Sequence, residues 1–319
     1  MIYAYIENLN GKYKNSSIEI VSYAKNIADA QGDSVTAITF NAVDSPEILY
    51  KYGANNVYNI KNEALKNFDP KVYASLISQL IEGNYIIFSH SDESTSIAPF
   101  LVKEKEAVYI TNVISQPLSF SPFKVKRNIF SGKGIAVVET SNPFLIITVA
   151  LNSTGVKENP VLGRVINPLI TIPDDSPYKV ESIEESDSKI DLKEAKIVVS
   201  GGRGMKGPEN WGIIEDLAQV LNAAEACTKP VSDMGWRPHS EHVGQTGKNI
   251  APKLYIAIGI SGAIQHLAGV NGSKTILVIN NDPEAPFFKS ADYGVVGDLF
   301  EVVPKLTEKL KSFINNKKI

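Results

Sequence analysis

Apolar positions in the first half of the chain alternate between two rhythms. Residues 2–6, 35–40, 57–60 and 85–88 are short apolar runs of strand length, and between them apolar side chains recur at helical spacing. Ile20, Tyr23, Ala24 and Ile27 mark one helix, closed by Gly32, and Ser45-Pro46-Glu47 opens a short second one that Gly53 ends. Asp69-Pro70 starts a clearer helix whose face carries Tyr73, Leu76, Ile77, Leu80 and Ile81 before Gly83. Strands alternating with helices predict a mostly parallel sheet. After Lys124 the pattern tightens to three closely spaced runs, 125–129, 134–138 and 144–149, which read as antiparallel strands added at the domain edge.

Residues 173–193 are acidic and polar, the composition of a solvated linker, and divide the chain into domains at 1–186 and 187–319. The second domain opens on the strand Ile197-Val198-Val199, followed by Ser200-Gly201-Gly202-Arg203-Gly204 and a helical pattern from about Asn210, with Ile213, Ile214, Leu217, Val220, Leu221 and Ala224 on one face. Residues 254–258, 275–279 and 293–296 are further strands. A last helix has Pro304 near its start and Leu306, Leu310, Phe313 and Ile314 on its apolar face. Residues 234–253 lack periodicity and are rich in Gly, Pro and polar side chains, which marks a functional loop.

A formal net charge of −3 over 319 residues removes the basic footprint of a nucleic-acid binder. The lone cysteine, Cys227, excludes an internal disulfide and a cysteine zinc site, and suits a reducing, cytoplasmic compartment. The N-terminal stretch reaches Glu7 without a basic region before an apolar core, so no signal peptide is expected. No apolar run is long enough for membrane insertion.

Candidate chemistry concentrates after strand ends of the second domain. In the first glycine turn, a backbone that can approach an anion closely and a following helix N-terminus suit a phosphate, with Arg203 adding a planar cation. A second such turn follows Gly259, where Ser261 is placed to cap the next helix and His266 to lean back over its first turn. Gly202 to Gly207 also satisfies G-x-G-x-x-G, with Glu225 near the distance of a ribose-binding acid, so a nicotinamide-dependent dehydrogenase is one alternative. A non-redox nucleotide-binding adaptor subunit is another, because no nucleophile with a partner base is evident. His239 and His242 have metal-like spacing but no carboxylate or cysteine beside them, and no metal is assigned. His90 reads as a satisfied surface histidine.

Four stretches together resemble one family. Val198-Val199-Ser200-Gly201-Gly202-Arg203-Gly204, Val243-Gly244-Gln245-Thr246-Gly247-Lys248, Gly259-Ile260-Ser261-Gly262-Ala263-Ile264-Gln265-His266-Leu267 and Asn281-Asp282-Pro283-Glu284-Ala285-Pro286 are similar, in order and spacing, to the FAD-binding domain of the electron transfer flavoprotein alpha subunit. The first half resembles the family's first domain more loosely, through its βα rhythm and Phe130-Ser131-Gly132-Lys133. The resemblance implies two α/β domains, the first a parallel sheet with antiparallel edge strands, the second a doubly wound, flavodoxin-like or Rossmann-like FAD-binding domain. It implies an electron carrier rather than a self-contained enzyme. The carrier pairs with a beta subunit that commonly holds AMP, takes electrons from flavin-dependent dehydrogenases and passes them to a quinone oxidoreductase or another acceptor. By position, Arg203, Thr228 and Lys229 belong to the FAD contacts, and Val243, Gly244, Gln245 and Thr246 lie near the ring. Ser261, Gly262, Ala263, Ile264, Gln265 and His266 cradle pyrophosphate and ring edge, and Asn280, Asp298 and Leu299 meet the adenosine end. One departure is Lys229, where the family usually carries Arg; the ammonium keeps the charge but lacks the planar fork.

Overall fold

The computed structural model describes residues 1–130, 132–173, 180–182 and 191–317. Among these the chain forms two compact units, one of residues 1–129, 134–173 and 180–182, the other of residues 130, 132–133 and 191–317. Most of the expected linker, its boundary at 186/187 and Ser131 of the 130–133 motif lie outside the described residues.

The first unit contains β1 (Ile2–Tyr5), β2 (Asn8–Leu9), β3 (Lys12–Tyr13), α1 (Asn15–Gln31), β4 (Val35–Phe40), α2 (Glu47–Lys51), β5 (Asn56–Ile60) and α3 (Pro70–Leu80). It continues through β6 (Tyr85–Ser89), α4 (Asp92–Lys105), β7 (Val108–Val113), β8 (Ser119–Phe120), β9 (Phe123–Ile129), β10 (Gly134–Thr140), β11 (Leu145–Val149) and β12 (Arg164–Val165). The main sheet runs β10-β9-β7-β11-β6-β1-β4-β5-β12, with β8 paired to β9. Successive side chains of a strand face opposite ways. Ile2 and Ala4 therefore join the core under α1, and Tyr3 and Tyr5 join the core under α3 and α4.

The antiparallel edge is made by β9 and β10, as expected, but the third strand of that group corrects the sequence reading. β11 is parallel to both β6 and β7 and lies between them, with all five residues buried. Its sequence, Leu-Ile-Ile-Thr-Val, has no polar alternation, which is the signature of a strand covered on both faces. α4 carries the chain from β6 to β7, and the antiparallel β8–β10 excursion precedes its return between them as β11.

The second unit contains β13 (Ile197–Gly201), α5 (Gly212–Leu221), β14 (Ala224–Cys227), α6 (Lys229–Asp233), β15 (Leu254–Ile258), α7 (Ile264–Val270), β16 (Ile276–Asn280), β17 (Tyr293–Val296) and α8 (Leu299–Lys317). All four pairings in the order β14-β13-β15-β16-β17 are parallel. One face packs against α5 and α8 through Ile214, Leu217, Leu299 and Val303, and the other packs through Val270 and Phe287. Helices on both faces and this strand order make a flavodoxin-like doubly wound sheet. α8 begins earlier than its proline suggests, with Asp298 accepting from the Phe300 amide at 2.9 Å, and Phe313 points outward at 55% exposure.

Candidate functional site

The chain leaves β13 toward β14 on one side and returns through β15 to β16 and β17 on the other. The reversal opens a crevice beyond the carboxyl ends of β13 and β15, where doubly wound sheets bind ligands. A cleft of about 630 Å³ lies there, within the range of small-molecule sites. Its walls come from the ends of four strands and from the aperiodic loop after α6.

The first glycine turn is built differently from the sequence expectation. Residues 203–205 form a single 3-10 turn, and α5 starts only at Gly212, so no helix N-terminus follows the turn directly. The Gly202 amide donates to Ile258 O at 2.9 Å and the Gly204 amide to Gly259 O at 3.0 Å. A Cβ on Gly202 would stand 2.3 Å from Gly259 O, and one on Gly204 would stand 2.6 Å from Gly259 Cα. These glycines let two loops touch; their amides are consumed in the contact. What the turn presents to the cleft is the exposed Arg203, which forms no ion pair among the described residues.

The second turn holds the free donors. The amides of Ile260, Ser261, Gly262, Ala263 and Ile264 donate to no backbone carbonyl among the described residues. Asn280 braces this turn, donating to Ile260 O at 2.9 Å while accepting from the Asp282 amide at 3.0 Å. Ser261 does not cap α7: Ala263 is the N-cap residue, and Ser261 remains exposed beside the cleft.

Thr228 and Lys229 enter from the end of β14, Thr228 buried and Lys229 exposed at the start of α6. The loop after α6 closes on itself, with Gly244 N donating to Lys248 O at 3.2 Å and Lys248 N to His242 O at 2.9 Å. Gln245 N donates to Gln265 O at 2.7 Å and ties the loop to α7. Val243 is buried beneath, and the side chains of Gln245 and Thr246 are exposed.

Two histidines line the cleft. His266 is 7% exposed, with Nε2 2.7 Å from the Tyr255 hydroxyl and Nδ1 buried without a hydrogen-bond partner of normal geometry. Burial pushes its pKa down to about 4, partly opposed by the Val243 backbone, so the ring is neutral. His242 is also buried and its Nδ1 is likewise unpartnered; burial, then the charges of His239 and Lys229, lower its pKa.

Of the residues selected from sequence, Arg203, Thr228, Lys229, Val243, Gly244, Gln245, Thr246, Ser261, Ala263, Gln265, His266 and Asn280 line this cleft. Gly262 lies behind the wall against Phe287, and Ile264 points outward. Asp298 stands at the start of α8, and Leu299 is packed in the core under Gly259. The cleft also takes in Pro230, Asp233, His242 and Asp282, which sequence reasoning left out. His242 is singled out in sequence only by its spacing from His239, although it stands immediately before the Val243 loop. Glu225, the acid of the nicotinamide fingerprint, lies inside β14 and is bound to Arg237 at 3.0 Å, so it is committed to a structural ion pair away from the cleft.

Residues 191–271 match the model of the electron transfer flavoprotein FAD-binding domain, and residues 2–163 match the electron transfer flavoprotein domain. The electron transfer flavoprotein subunit alpha of Syntrophomonas wolfei is 36% identical over 315 residues, covering 96% of this chain and 98% of its own length. That of Thermoanaerobacterium thermosaccharolyticum is 35% identical, covering 97% of each chain, and that of Bacillus subtilis is 34% identical, covering 95% of this chain and 94% of its own. Glycine turns, loop and strand order all fall within the matched region. The chain belongs to the electron transfer flavoprotein alpha-subunit family.

Proposed function

We propose that the cleft between the ends of β13 and β15 holds the FAD through which this alpha subunit carries electrons. The observation that carries the reading is the pairing of two cations, Arg203 and Lys229, with a run of free amides at residues 260–264 around one cleft. Unpaired donors and cations are what a diphosphate and a flavin's carbonyl edge satisfy. FAD supplies the one- and two-electron chemistry. The chain's residues bind and orient it: the 260–264 amides and Arg203 hold phosphate oxygens, while Gln245, Thr246 and His266 face the ring. The neutral imidazole of His266 is fixed at the cleft wall, with Nε2 paired to the Tyr255 hydroxyl and the Val243 backbone beside the ring. Asn280 holds the turn and meets the adenosine end, with Asp298 at the start of α8 and Leu299 packed behind Gly259.

No acid–base pair is needed for such a relay, which makes the subunit a carrier that works with partners. The beta subunit is one partner, and flavin-dependent dehydrogenases donate electrons. We extend the same reading to AMP in the beta chain, to a quinone oxidoreductase or another acceptor downstream, and to a cytoplasmic location.

The complex purified with its beta subunit is expected to be yellow with flavin bands. Arg203→Ala removes a charge-assisted contact worth roughly 1.5–3 kcal/mol, about ten- to a hundredfold in affinity. His90→Ala, whose ring bonds Thr148 in the first unit at 2.9 Å, should leave FAD affinity unchanged. FAD titration of the apo complex tests both, and equal losses in the two variants would remove Arg203 from the site.

A further inference from the structure

His242 occupies a position to which the cofactor reading gives no role. Its ring is sandwiched inside the 242–248 loop: a Cβ on Gly247 would lie 2.8 Å from Nδ1 and Cγ, and one on Gly244 would lie 3.4 Å from Nε2. The residue is 2% exposed, yet it lines the cleft, and Nδ1 is buried without a partner. The loop that carries Gln245 and Thr246 therefore rests on an imidazole that no protein group among the described residues holds by a hydrogen bond. An unmet buried nitrogen costs stability, so a site that keeps one has a use for it in another state.

The groups facing the ring are His239 and Lys229, which disfavour charge on it, Asp233, which favours it, and His266 across the cleft. His266 is committed through Nε2 to Tyr255, which leaves His242 as the histidine free to change its proton count.

We propose that His242 is a positioning residue that also holds a proton for the cofactor site: uncharged, it supports the 243–246 loop, and it gains one proton when one electron is delivered above that loop. The electron comes from the dehydrogenase donor and the proton from solvent; one N–H bond forms on the imidazole, and no bond to the cofactor forms or breaks. An opposite charge within about 4–6 Å raises a basic group's proton affinity roughly ten- to a thousandfold. A negative charge arriving above the loop therefore favours proton uptake by His242. The inference rests on the FAD ring lying over the 243–246 loop.

The test is spectroelectrochemical titration of the FAD-loaded complex with its beta subunit from pH 5.5 to 8.5, for the wild type, His242→Gln and His239→Gln. The wild-type one-electron potential should fall with rising pH more steeply than that of His242→Gln, by up to about 59 mV per tenfold change in proton concentration. His239→Gln, which removes a group that disfavours charge on His242, should keep the steep wild-type slope with its pH range moved upward. Protonation of the cofactor itself is common to all three and cancels in the comparison. Equal slopes in the wild type and His242→Gln, with flavin retained, overturn the proposal and leave the cofactor site standing. A colourless wild-type complex overturns both. Should His242→Gln shed its flavin, ¹⁵N-histidine spectra of the wild-type complex decide: a His242 ring that titrates at higher pH after reduction supports the role, and one that titrates at the same pH in both states refutes it.

Discussion

At the scale of single residues, Gly259 shows why glycines gather at this site. Its φ is +62°, and a Cβ would stand 2.9 Å from both Gly204 Cα and Leu299 Cδ2. The position thus demands left-handed backbone and empty space together, and only glycine offers both without strain. Gly259→Ala should lose roughly 1–3 kcal/mol of stability and part its turn from the Gly202–Gly204 turn. Urea unfolding followed by tryptophan fluorescence is the check, since the only tryptophans, Trp211 and Trp236, are both in this unit. An unchanged midpoint would show that the contact yields easily. The glycines were legible as a motif, but their purpose was not. A sequence pattern cannot tell a glycine that admits a ligand from one that admits another loop, because both need the same missing side chain.

At the scale of elements, α4 brings a half-buried carboxylate to the strand ends of the first unit. Its N-terminus is capped by Ser91, whose Oγ accepts from the Ser94 amide at 3.0 Å. In the first turn, Glu93 accepts from the Tyr5 hydroxyl at 2.5 Å, and Glu7 on the neighbouring strand end accepts from Ser89 and Ser91 and pairs with Lys14 at 2.7 Å. These side chains gather where the chain's progress across the first sheet reverses, between β1 and β6. Burial, then the charge of Glu7, pushes the Glu93 pKa up to about 7, against the pull of Tyr5 and Lys14. A carboxyl raised above its unfolded value of 4.5 stabilises the fold at low pH, and that contribution is lost as pH rises through about 7. Amide exchange of β1 and α4, corrected for intrinsic rates, should therefore lose protection between pH 5 and 8, and Glu93→Gln should flatten the dependence. Parallel profiles for the two proteins would place the titration elsewhere. Neither Glu7 nor Glu93 stands out in the sequence, because their pairing depends on strand ends more than eighty residues apart.

At the scale of the whole molecule, the cleft residues Gln245 and Thr246 are exposed, and no second glycine-rich ligand turn in the first 150 residues is available to cover a cofactor. The isolated chain should therefore bind FAD poorly, and the complex with the beta subunit should retain it through gel filtration and dialysis. A monomer keeping fully shielded flavin through both steps would refute this. The sequence by itself determined the alternation of strands and helices, the glycine turns after strand ends in the second half, and the family, because local periodicity and the spacing of turn residues are written in neighbouring positions. Tertiary structure alone decided that β11 is central rather than marginal, since pairing partners are chosen by long-range burial. It also decided which of two similar glycine turns keeps its amides free, and that His242 is buried within the 242–248 loop while Glu225 is drawn away to Arg237. Each of those outcomes depends on which backbone group or charge arrives from a distant strand to satisfy a donor, and no stretch of the chain specifies that arrival alone.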